Sequence, residues 1–271
     1  MFAGVTTDLL QIDTFNLGLL VVSGLAAGFI NAVSGGGSML TLPALIFIGL
    51  PPGIANGTNR VAVVAQNIAA IATYHRLQVA DHKLALSLSV PTVIGAFLGA
   101  LVSIRLDDAQ FRAILGIVLL LLIGPVLMEP RLSTRFANRQ QKFRNSWGLW
   151  TVFFLIGIYG GFLQVATGLF FLLVLSLFGG INLVLANSIK VMVMFFMTTM
   201  ALFVFIFDQK VVWGVGILLA TANAAGAWLG TRWGVRKGAY WIRVVLISTV
   251  IAMATQLLGG FSWLIRLLQP T

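Results

Sequence analysis

The chain has 271 residues, of which 59% are hydrophobic and only 9% are charged. A soluble domain carries about 25% Asp, Glu, Lys and Arg, so this composition excludes a water-soluble globular protein. The net charge of +10 does not indicate a nucleic-acid partner. The basic residues lie in short segments between apolar stretches, as they do in the cytoplasmic loops of membrane proteins.

Long apolar segments predict helices along the whole chain, because roughly 20 helical residues cross a hydrocarbon core of about 30 Å. The predicted helices lie at 15–33, 38–50, 60–75, 84–104, 111–128, 147–167, 169–180, 188–207, 211–231 and 240–258. A final amphipathic piece at 261–268 is too short to span. No alternating pattern of the kind that a transmembrane barrel requires recurs. The predicted fold class is therefore an all-α polytopic membrane protein.

An internal repeat relates the two halves of the chain. The segment 28–35 (GFINAVSG) matches 161–168 (GFLQVATG) at an offset of 133 residues, with each position identical or similar. Further on, 95–99 (GAFLG) matches 226–230 (GAWLG) at an offset of 131 residues. Several matches in the same order indicate a duplicated structural unit.

Charge and length together predict the topology. The linker 129–146 carries five basic residues against Glu129 alone, so it is assigned to the cytoplasm together with the basic segment 232–243. The segment 169–180 has 12 residues, about 18 Å of helix, which is too short to cross. An even number of crossings then requires 147–180 to form a re-entrant hairpin.

The segment 15–50 is predicted to form the same kind of hairpin. Each repeat then consists of a re-entrant helical hairpin plus three transmembrane helices. Because three is odd, the two repeats are inverted relative to each other, as in many secondary transporters. The predicted domains are a first membrane repeat at 1–128, a cytoplasmic basic linker at 129–146 and a second membrane repeat at 147–271. Both termini are predicted outside the cytoplasm, in a multi-pass protein of the cell (inner) membrane, and no cleaved signal peptide is expected.

Motifs in both repeats carry a likeness to a known family. In the first half they are 28–37 (GFINAVSGGG), 42–45 (LPAL), 49–52 (GLPP) and 55–59 (ANGTN), with weaker echoes at 161–168 and 186–190. At these motifs the chain resembles the sulfite exporter TauE/SafE family of membrane anion transporters, over nearly its whole length. The resemblance implies transport of sulfur-containing or related small organic anions, driven by ion gradients and without ATP.

The second half departs from the family pattern. The family usually has a glycine-rich turn in both halves, whereas the second turn here reads Gly168-Leu169-Phe170-Phe171. The second hairpin tip is therefore expected to pack tightly rather than to expose its backbone.

The glycine run Gly35-Gly36-Gly37 is the strongest local signal for a binding site. Backbone N–H groups freed by a helix break need protein or water as partners inside lipid, and glycine lets an anion approach such amides. The helix that begins near Ser38 adds the positive end of its dipole. The alternative interpretation is that these glycines only permit close helix packing.

Neutral polar side chains beside the two tips can donate hydrogen bonds to an oxyanion without the cost of a buried charge. These residues are Asn31, Ser34 and Ser38 in the first half and Gln164 and Thr167 in the second. The alternative is that they satisfy backbone groups freed by each break.

Two cations, Arg60 and Lys190, lie close to apolar helix interiors. A charge at the bilayer centre costs roughly 2.5–3.5 kcal/mol on insertion scales, so such residues usually have a partner or face a water-filled path. Neither has an acidic residue within one helical turn, and an anionic substrate would supply the partner. Snorkelling to the interface is the alternative. The remaining candidate binding residues are their neighbours Asn56, Thr58, Asn59, Asn187 and Ser188.

Acidic residues and cysteine are absent from the predicted spans. Asp107, Asp108, Glu129 and Asp208 all fall between spans, whereas cation carriers and proton relays usually need a membrane-embedded carboxylate. Cysteine is absent, and His75 and His82 lie at the two ends of a predicted cytoplasmic loop between two helices. Because no nucleophile–base pair is embedded in the membrane, we expect no enzyme activity, no metal site and no cofactor.

The sequence therefore predicts a gradient-driven carrier, an exporter of small anions such as sulfite or organosulfonates. The anion would bind near the midplane between the two hairpins, and rocking of one half against the other would expose the site alternately. A passive anion channel and a non-transporting membrane scaffold are the alternatives. The expected partners are the small anion and the lipid bilayer, with no nucleic acid; the oligomeric state is left open, a homodimer included.

Overall fold

The computed structural model describes residues 13–111, 113–115, 117, 147–177 and 181–257. Its regular elements in these ranges are helices, and no strand occurs among the described residues. In chain order they are α1 (Thr14–Val33), α2 (Ser38–Phe47), α3 (Pro52–Arg76), α4 (His82–Ser103), α5 (Trp147–Phe162), α6 (Thr167–Leu177), α7 (Leu183–Phe207) and α8 (Trp213–Leu257). A further helical stretch begins at Asp108. The predicted linker 129–146, the piece 261–268 and both termini lie outside the described residues.

Two helices begin earlier than predicted because local signals start them. α3 begins at Pro52 rather than at 60, since proline at the first helical position has its backbone angle already set. α7 begins at Leu183 rather than at 188, because the side chain of Asn182 accepts a hydrogen bond from the backbone N–H of Leu185 at 2.9 Å. The stretch that contains Asn56 and Arg60 is therefore helical.

The predicted loop 232–243 is wrong in part, because this segment stays helical except at one residue. Gly238 has φ 78° and ψ −175°, which breaks α8. The rings of Trp233 and Trp241 lie 6.2 Å apart on the two sides of this break. A Cβ built on Gly234 would lie 3.6 Å from Cγ1 of Ile242, so the chain turns back sharply at Gly238.

Helix length separates long helices from short ones. Four segments are long and apolar enough to cross a membrane, namely Thr14–Val33, His82–Ser103, Leu183–Phe207 and Trp213–Gly238. α2 has 10 residues and α6 has 11, about 15 Å each, so neither crosses a bilayer alone. Each predicted hairpin thus joins a longer first limb to a short second one, and α1 with its 20 residues is long enough to span.

Glycines bring α1 and α8 into close contact. A Cβ built on Gly24 would lie 2.8 Å from Cβ of Ala222, and one built on Gly230 would lie 2.6 Å from the carbonyl oxygen of Phe29. The residue numbers rise along both helices from the contact of Gly24 with Ala222 to that of Phe29 with Gly230, so α1 and α8 run parallel. Small residues permit this approach, as they do between transmembrane helices generally.

A close contact through glycines of the same kind, which we call a seam, joins α4 to α5. A Cβ built on Gly157 would lie 2.3 Å from the carbonyl oxygen of Thr92, and one built on Gly99 would lie 2.9 Å from the backbone nitrogen of Phe162. α4 and α5 therefore also run parallel. Under the repeat alignment α1 corresponds to α5 and α8 to α4, so each seam joins the first helix of one half to the last helix of the other.

α3 fixes the relative directions of the remaining helices. Arg60, near the start of α3, lies over the ring of Phe205 near the end of α7, while Tyr74 and Val191 pack together at the opposite ends. α3 and α7 are therefore antiparallel. α3 is also antiparallel to α4, because Asn56 donates a hydrogen bond to Ser103 at the far end of α4.

α8 runs parallel to α3. Thr58 accepts a hydrogen bond from the backbone N–H of Val212 beside the start of α8, and further along Gln66 accepts one from Asn223. Since α1 is parallel to α8, and α5 is parallel to α4, α1 and α5 run in opposite directions.

Packing divides the helices into two groups that cross the halves of the sequence. We call α1, α2, α3 and α8 bundle A, and α4, α5, α6 and α7 bundle B. The four most extensive helix contacts, α1 with α8, α4 with α5, α3 with α8 and α4 with α7, all lie within the bundles, and the next, α3 with α7, lies between them. The fourth helix of each half thus belongs to the bundle of the other half.

Apolar side chains face outward and polar side chains are buried. Large exposed residues such as Phe47, Val90, Ile94 and Phe203 lie on the outer faces of the helices. A polar group needs partners inside a membrane, and in this chain such partners lie in the interior. This arrangement is that of a protein with lipid as its outer solvent.

Candidate functional site

The two helix breaks meet at the centre of the molecule. A Cβ built on Gly35 would lie 2.4 Å from the carbonyl carbon of Gly168, and one built on Gly168 would lie 2.6 Å from Cα of Gly35. Ser34 and Thr167, beside these glycines, are fully buried. The expectation of a tightly packed second tip is confirmed, and the first tip packs equally tightly against it.

At the first break, several groups that were predicted to contact an anion bond to one another. The side-chain oxygen of Asn31 accepts a hydrogen bond from the backbone N–H of Gly37 at 2.7 Å, and the Ser34 hydroxyl donates to the Ile30 carbonyl at 3.0 Å. The N–H of Gly35 also bonds to the Ile30 carbonyl. In this conformation the break satisfies these groups internally, and Gly36 and Ser38 are buried beside them.

The second break is built without a glycine run. Gln164 and Ala166 both have positive φ, 63° and 56°, a region that costs an L-residue about 1–2 kcal/mol. The side-chain nitrogen of Gln164 donates a hydrogen bond to Thr198 at 2.7 Å. The Gln164 amide oxygen and the Thr167 hydroxyl have no hydrogen-bond partner among the described residues.

Arg60 is completely buried and reaches from bundle A to the second break. Its guanidinium donates to the carbonyls of Gly160 and Gly161 at 3.3 and 2.6 Å, near the carboxyl end of α5. The Nε–H of Arg60 has no partner. One helical turn earlier, Asn56 donates to the Phe162 carbonyl at 2.9 Å. Both residues therefore bind carbonyls at the end of the broken helix in the other bundle.

Lys190 makes the corresponding contact from bundle B to the first break. Its ammonium donates to the Asn31 carbonyl at 2.7 Å and to the side-chain oxygen of Asn187 at 2.6 Å. Asn187 in turn donates to the Val33 carbonyl at 2.8 Å. An asparagine and a cation one turn apart on α7 thus hold the carboxyl end of α1, as Asn56 and Arg60 hold that of α5.

Neither buried cation has a carboxylate partner among the described residues. The ion pair found there joins Lys210 to Asp208 at 3.0 Å, and both of its side chains are partly exposed. A helix carboxyl end carries about half an elementary negative charge, which offsets only part of a buried positive charge. The centre of the molecule therefore favours an additional negative group.

Three further predicted residues lie around this centre. Thr58 caps the start of α8 through Val212, as described above, which is a structural task. Asn59 is buried, and its side-chain oxygen has no partner. Ser188 lies at a small pocket beside Tyr74 and His82, at the turn between α3 and α4.

The sequence interpretation missed a second layer of buried amides. The side-chain oxygen of Gln66 accepts hydrogen bonds from Asn31 at 3.2 Å and from Asn223 at 3.1 Å. Asn67 is also buried, with an unpaired side-chain nitrogen. An amide pair inside an otherwise apolar helix was the available signal, because such side chains face the protein interior in membrane proteins.

The residues present can bind an anion through N–H donors, and among the described residues no group of three or more His, Cys, Asp or Glu side chains could hold a metal ion. Parallel helix seams, broken helices that meet at the centre and buried cations together define a multi-pass helical membrane protein with a polar interior.

Comparison with known proteins gives the family. Residues 20–257 match the model of the sulfite exporter TauE/SafE family. The chain is 30% identical over 243 residues to the probable membrane transporter protein ORF9 of Sinorhizobium sp, covering 90% of this chain and 92% of that one. It is 29% identical over 259 residues to the probable membrane transporter protein YfcA of Escherichia coli K12, covering 93% of each. No solved structure matches the chain.

The chain belongs to the sulfite exporter TauE/SafE family, a family of membrane transporters. The predicted resemblance is thereby confirmed.

Proposed function

We propose that this protein is a secondary transporter that exports small anions, such as sulfite or organosulfonates, by alternating access. The observation that carries the proposal is the burial of Arg60 and Lys190 at the junction of two broken helices, with no carboxylate partner in the part of the chain that the structure describes. A buried charge is expensive unless it is paired, and a small anion is the partner that these two sites can accept.

The inverted-repeat architecture is part of the proposal. α1 and α5 run in opposite directions, and the most extensive contacts come in corresponding pairs: α1 with α8 and α5 with α4, α3 with α8 and α7 with α4. Such reciprocal pairing is what a two-fold axis in the membrane plane produces. We propose that both repeats, 1–128 and 147–271, lie in the cell membrane, with the basic linker in the cytoplasm and both termini outside.

The proposed binding residues are those predicted from the sequence, with the cations as the main determinants. Lys190 uses two of its three N–H donors on the protein, and Arg60 has a free Nε–H. An oxyanion could take the remaining donors first and then replace the carbonyl partners. Asn31 and Gln164 lie beside the two breaks and can orient their amides toward such an anion.

Counterflow in liposomes tests the transport proposal. Liposomes that contain the purified protein and are loaded with unlabelled sulfite are diluted into radiolabelled sulfite. A carrier accumulates label transiently through exchange, whereas a channel lets the gradient dissipate without accumulation. We expect saturable counterflow that the Lys190→Gln variant reduces by about tenfold or more, since a hydrogen bond to a charged group is replaced by a weaker neutral one.

Lys83→Gln is the matched control, because Lys83 is an exposed lysine at the start of α4, and its flux should equal that of the unmodified chain. The melting temperature of each variant shows whether it remains folded. Flux without counterflow would replace the carrier by a channel. Absence of flux and of anion-dependent stabilisation for sulfite and methanesulfonate alike would refute transport of these anions.

A further inference from the structure

A few side chains make the hydrogen bonds described above between the helices of the two bundles. Those donated from a helix of one bundle to a helix of the other, or to its end, come from Asn56, Arg60, Asn187 and Lys190, and the Ser103 hydroxyl accepts one of the two from Asn56. The other buried amide bonds described above stay inside one bundle: Asn31, Gln66 and Asn223 lie in bundle A, and Gln164 and Thr198 lie in bundle B.

The four side chains form two equivalent pairs on opposite sides of the molecule. Arg60 lies in the first third of α3, and Lys190 lies in the first third of α7. Because α3 and α7 are antiparallel, the two pairs fall on opposite sides of the midplane. We call Asn56 with Arg60 the Arg60 latch, and Asn187 with Lys190 the Lys190 latch.

Each latch binds carbonyls that an anion can replace. The partners of Arg60 are the carbonyls of Gly160 and Gly161, and the partner of Lys190 in bundle A is the carbonyl of Asn31. A carbonyl is a neutral acceptor, whereas an oxyanion on the same cation adds the attraction between two full charges. An oxyanion therefore competes for the same donors.

We propose that the Arg60 latch and the Lys190 latch hold the two bundles together on opposite sides of the membrane, and that a small anion opens each latch by replacing the helix carbonyls on its cation. This inference rests on the proposed function and adds the residues that couple binding to motion. It also replaces the movement of one sequence half against the other by a movement of bundle A against bundle B.

The seams explain why the bundles, rather than the halves, move as units. α1 meets α8 and α4 meets α5 through backbone contacts at glycine, where helices interlock closely and separate at a high cost in packing. Between the bundles, the tips touch at Gly35 and Gly168, α3 packs on α7, and the helices are joined by a few hydrogen bonds from the latch side chains. Loss of the bonds of one latch therefore lowers the cost of separating that side and leaves the seams within each bundle unchanged.

Single cysteines report each latch separately, since the natural chain contains none. Ala55 is buried next to Asn56, and Ala70 is buried against Val191, next to Lys190. Ala55→Cys and Ala70→Cys are introduced one at a time, and the full chain in nanodiscs reacts with a polar maleimide. The labelling rate then measures how often each side opens.

We expect Lys190→Met to accelerate labelling at position 70 by on the order of tenfold to a hundredfold, the range of typical coupling between sites, with little effect at position 55. Arg60→Met should do the reverse. Asn187→Leu and Asn56→Leu retain the cations and should give smaller effects on the same sides. Ser89→Ala is the control, because the Ser89 hydroxyl bonds only within its own helix.

The latch assignment is overturned if either cation variant accelerates both positions equally, or accelerates neither. Where a cation variant does not fold, the asparagine variant of the same latch is used instead. Equal acceleration at both positions, or at neither, then overturns the assignment of that latch.

Methanesulfonate, compared with the bulky anion gluconate at equal ionic strength, tests the role of the anion. We expect it to accelerate labelling in the chain that keeps both cations and to lose this effect on the side whose cation is removed. If methanesulfonate is transported but leaves labelling unchanged, the latch role is refuted and the proposed transport stands. In another outcome, methanesulfonate neither stabilises the protein nor is transported, while the cation variants still open their sides. This result refutes both the transport of sulfonates and the opening of the latches by the anion.

Discussion

The two helix breaks occupy equivalent positions but are built from different residues. The first break has glycine at its positive-φ position, Gly35 with φ 86°, and an amide network around Asn31. The second break forces Gln164 and Ala166 into positive φ and has one amide bond, to Thr198. The first break is thus unstrained and polar, whereas the second is strained and held by packing.

The difference shows that helix breaks at corresponding places in the two repeats can be made with different residues at positive φ, Gly35 in the first and Gln164 and Ala166 in the second. A glycine run makes a helix break recognisable in the sequence, because glycine populates positive φ freely. At the second break, tertiary contacts supply what the local sequence does not: the tip of the first break, with Gly35 against Gly168, and Tyr159, whose hydroxyl donates to the Val165 carbonyl at 2.6 Å.

The largest expected effect comes from Gly35→Ala. Alanine at this position would have to keep the positive φ, which destabilises an L-residue by about 1–2 kcal/mol. Its Cβ would also overlap the backbone of Gly168, and such overpacking destabilises the fold by roughly a further 1–3 kcal/mol. We expect a large fall in melting temperature in detergent. Gly18→Ala, in the preceding helix α1, is the control, because a Cβ there meets nothing within 4 Å. Equal melting temperatures for the two variants would show that the tips do not touch.

A smaller effect is expected from removal of the amide ties, and it should differ between the breaks. Gln66→Leu leaves the amides of Asn31 and Asn223 without their acceptor, and an unsatisfied buried group costs about 1–3 kcal/mol. Thr198→Val removes the one acceptor of Gln164, which should cost about 0.6 kcal/mol, the average for hydrogen bonds between membrane helices. Thermal unfolding of both variants compares the two losses of stability. A larger loss for Thr198→Val would contradict the assignment of the polar network to the first break.

The smallest effect is expected from Ala166→Gly. The substitution stabilises the folded chain by relieving the strain of positive φ at this residue. It also makes the unfolded chain more flexible, which takes back about 0.5–1 kcal/mol of that stabilisation. We expect the melting temperature to stay the same or rise slightly, whereas Gly35→Ala lowers it. A marked fall would mean that the methyl group of Ala166 contributes more to packing than its backbone strain costs.

Much of the fold could be predicted from the sequence, but with different accuracy at different places. α1, α4 and α5 begin within about two residues of their predicted starts, because long apolar stretches fix membrane helices. The bounds were wrong at Pro52 and Leu183, where capping extends a helix into polar sequence, and at 232–243, where basic residues resemble a loop. Charge alone does not end a helix.

The sequence predicted the candidate site from its cations and the asparagines beside them, but missed the buried amides of Gln66, Asn67 and Asn223. Arg60 and Lys190 stand out in the sequence because a charge in an apolar stretch is costly. Gln66 and Asn223 carry no charge and lie 157 positions apart, so their pairing becomes visible only when α3 and α8 pack side by side. The binding roles of all these residues remain a prediction for experiment.

The sequence by itself determined that this is a helical membrane protein with a duplicated motif, because apolar length and repeated residues are local properties of the chain. Only the tertiary structure decided which helices pack together. The exchange of α4 and α8 between the halves depends on glycine seams between helices distant in the sequence, and the side chain of Lys190 meets the Asn31 carbonyl only where those seams bring the two breaks face to face.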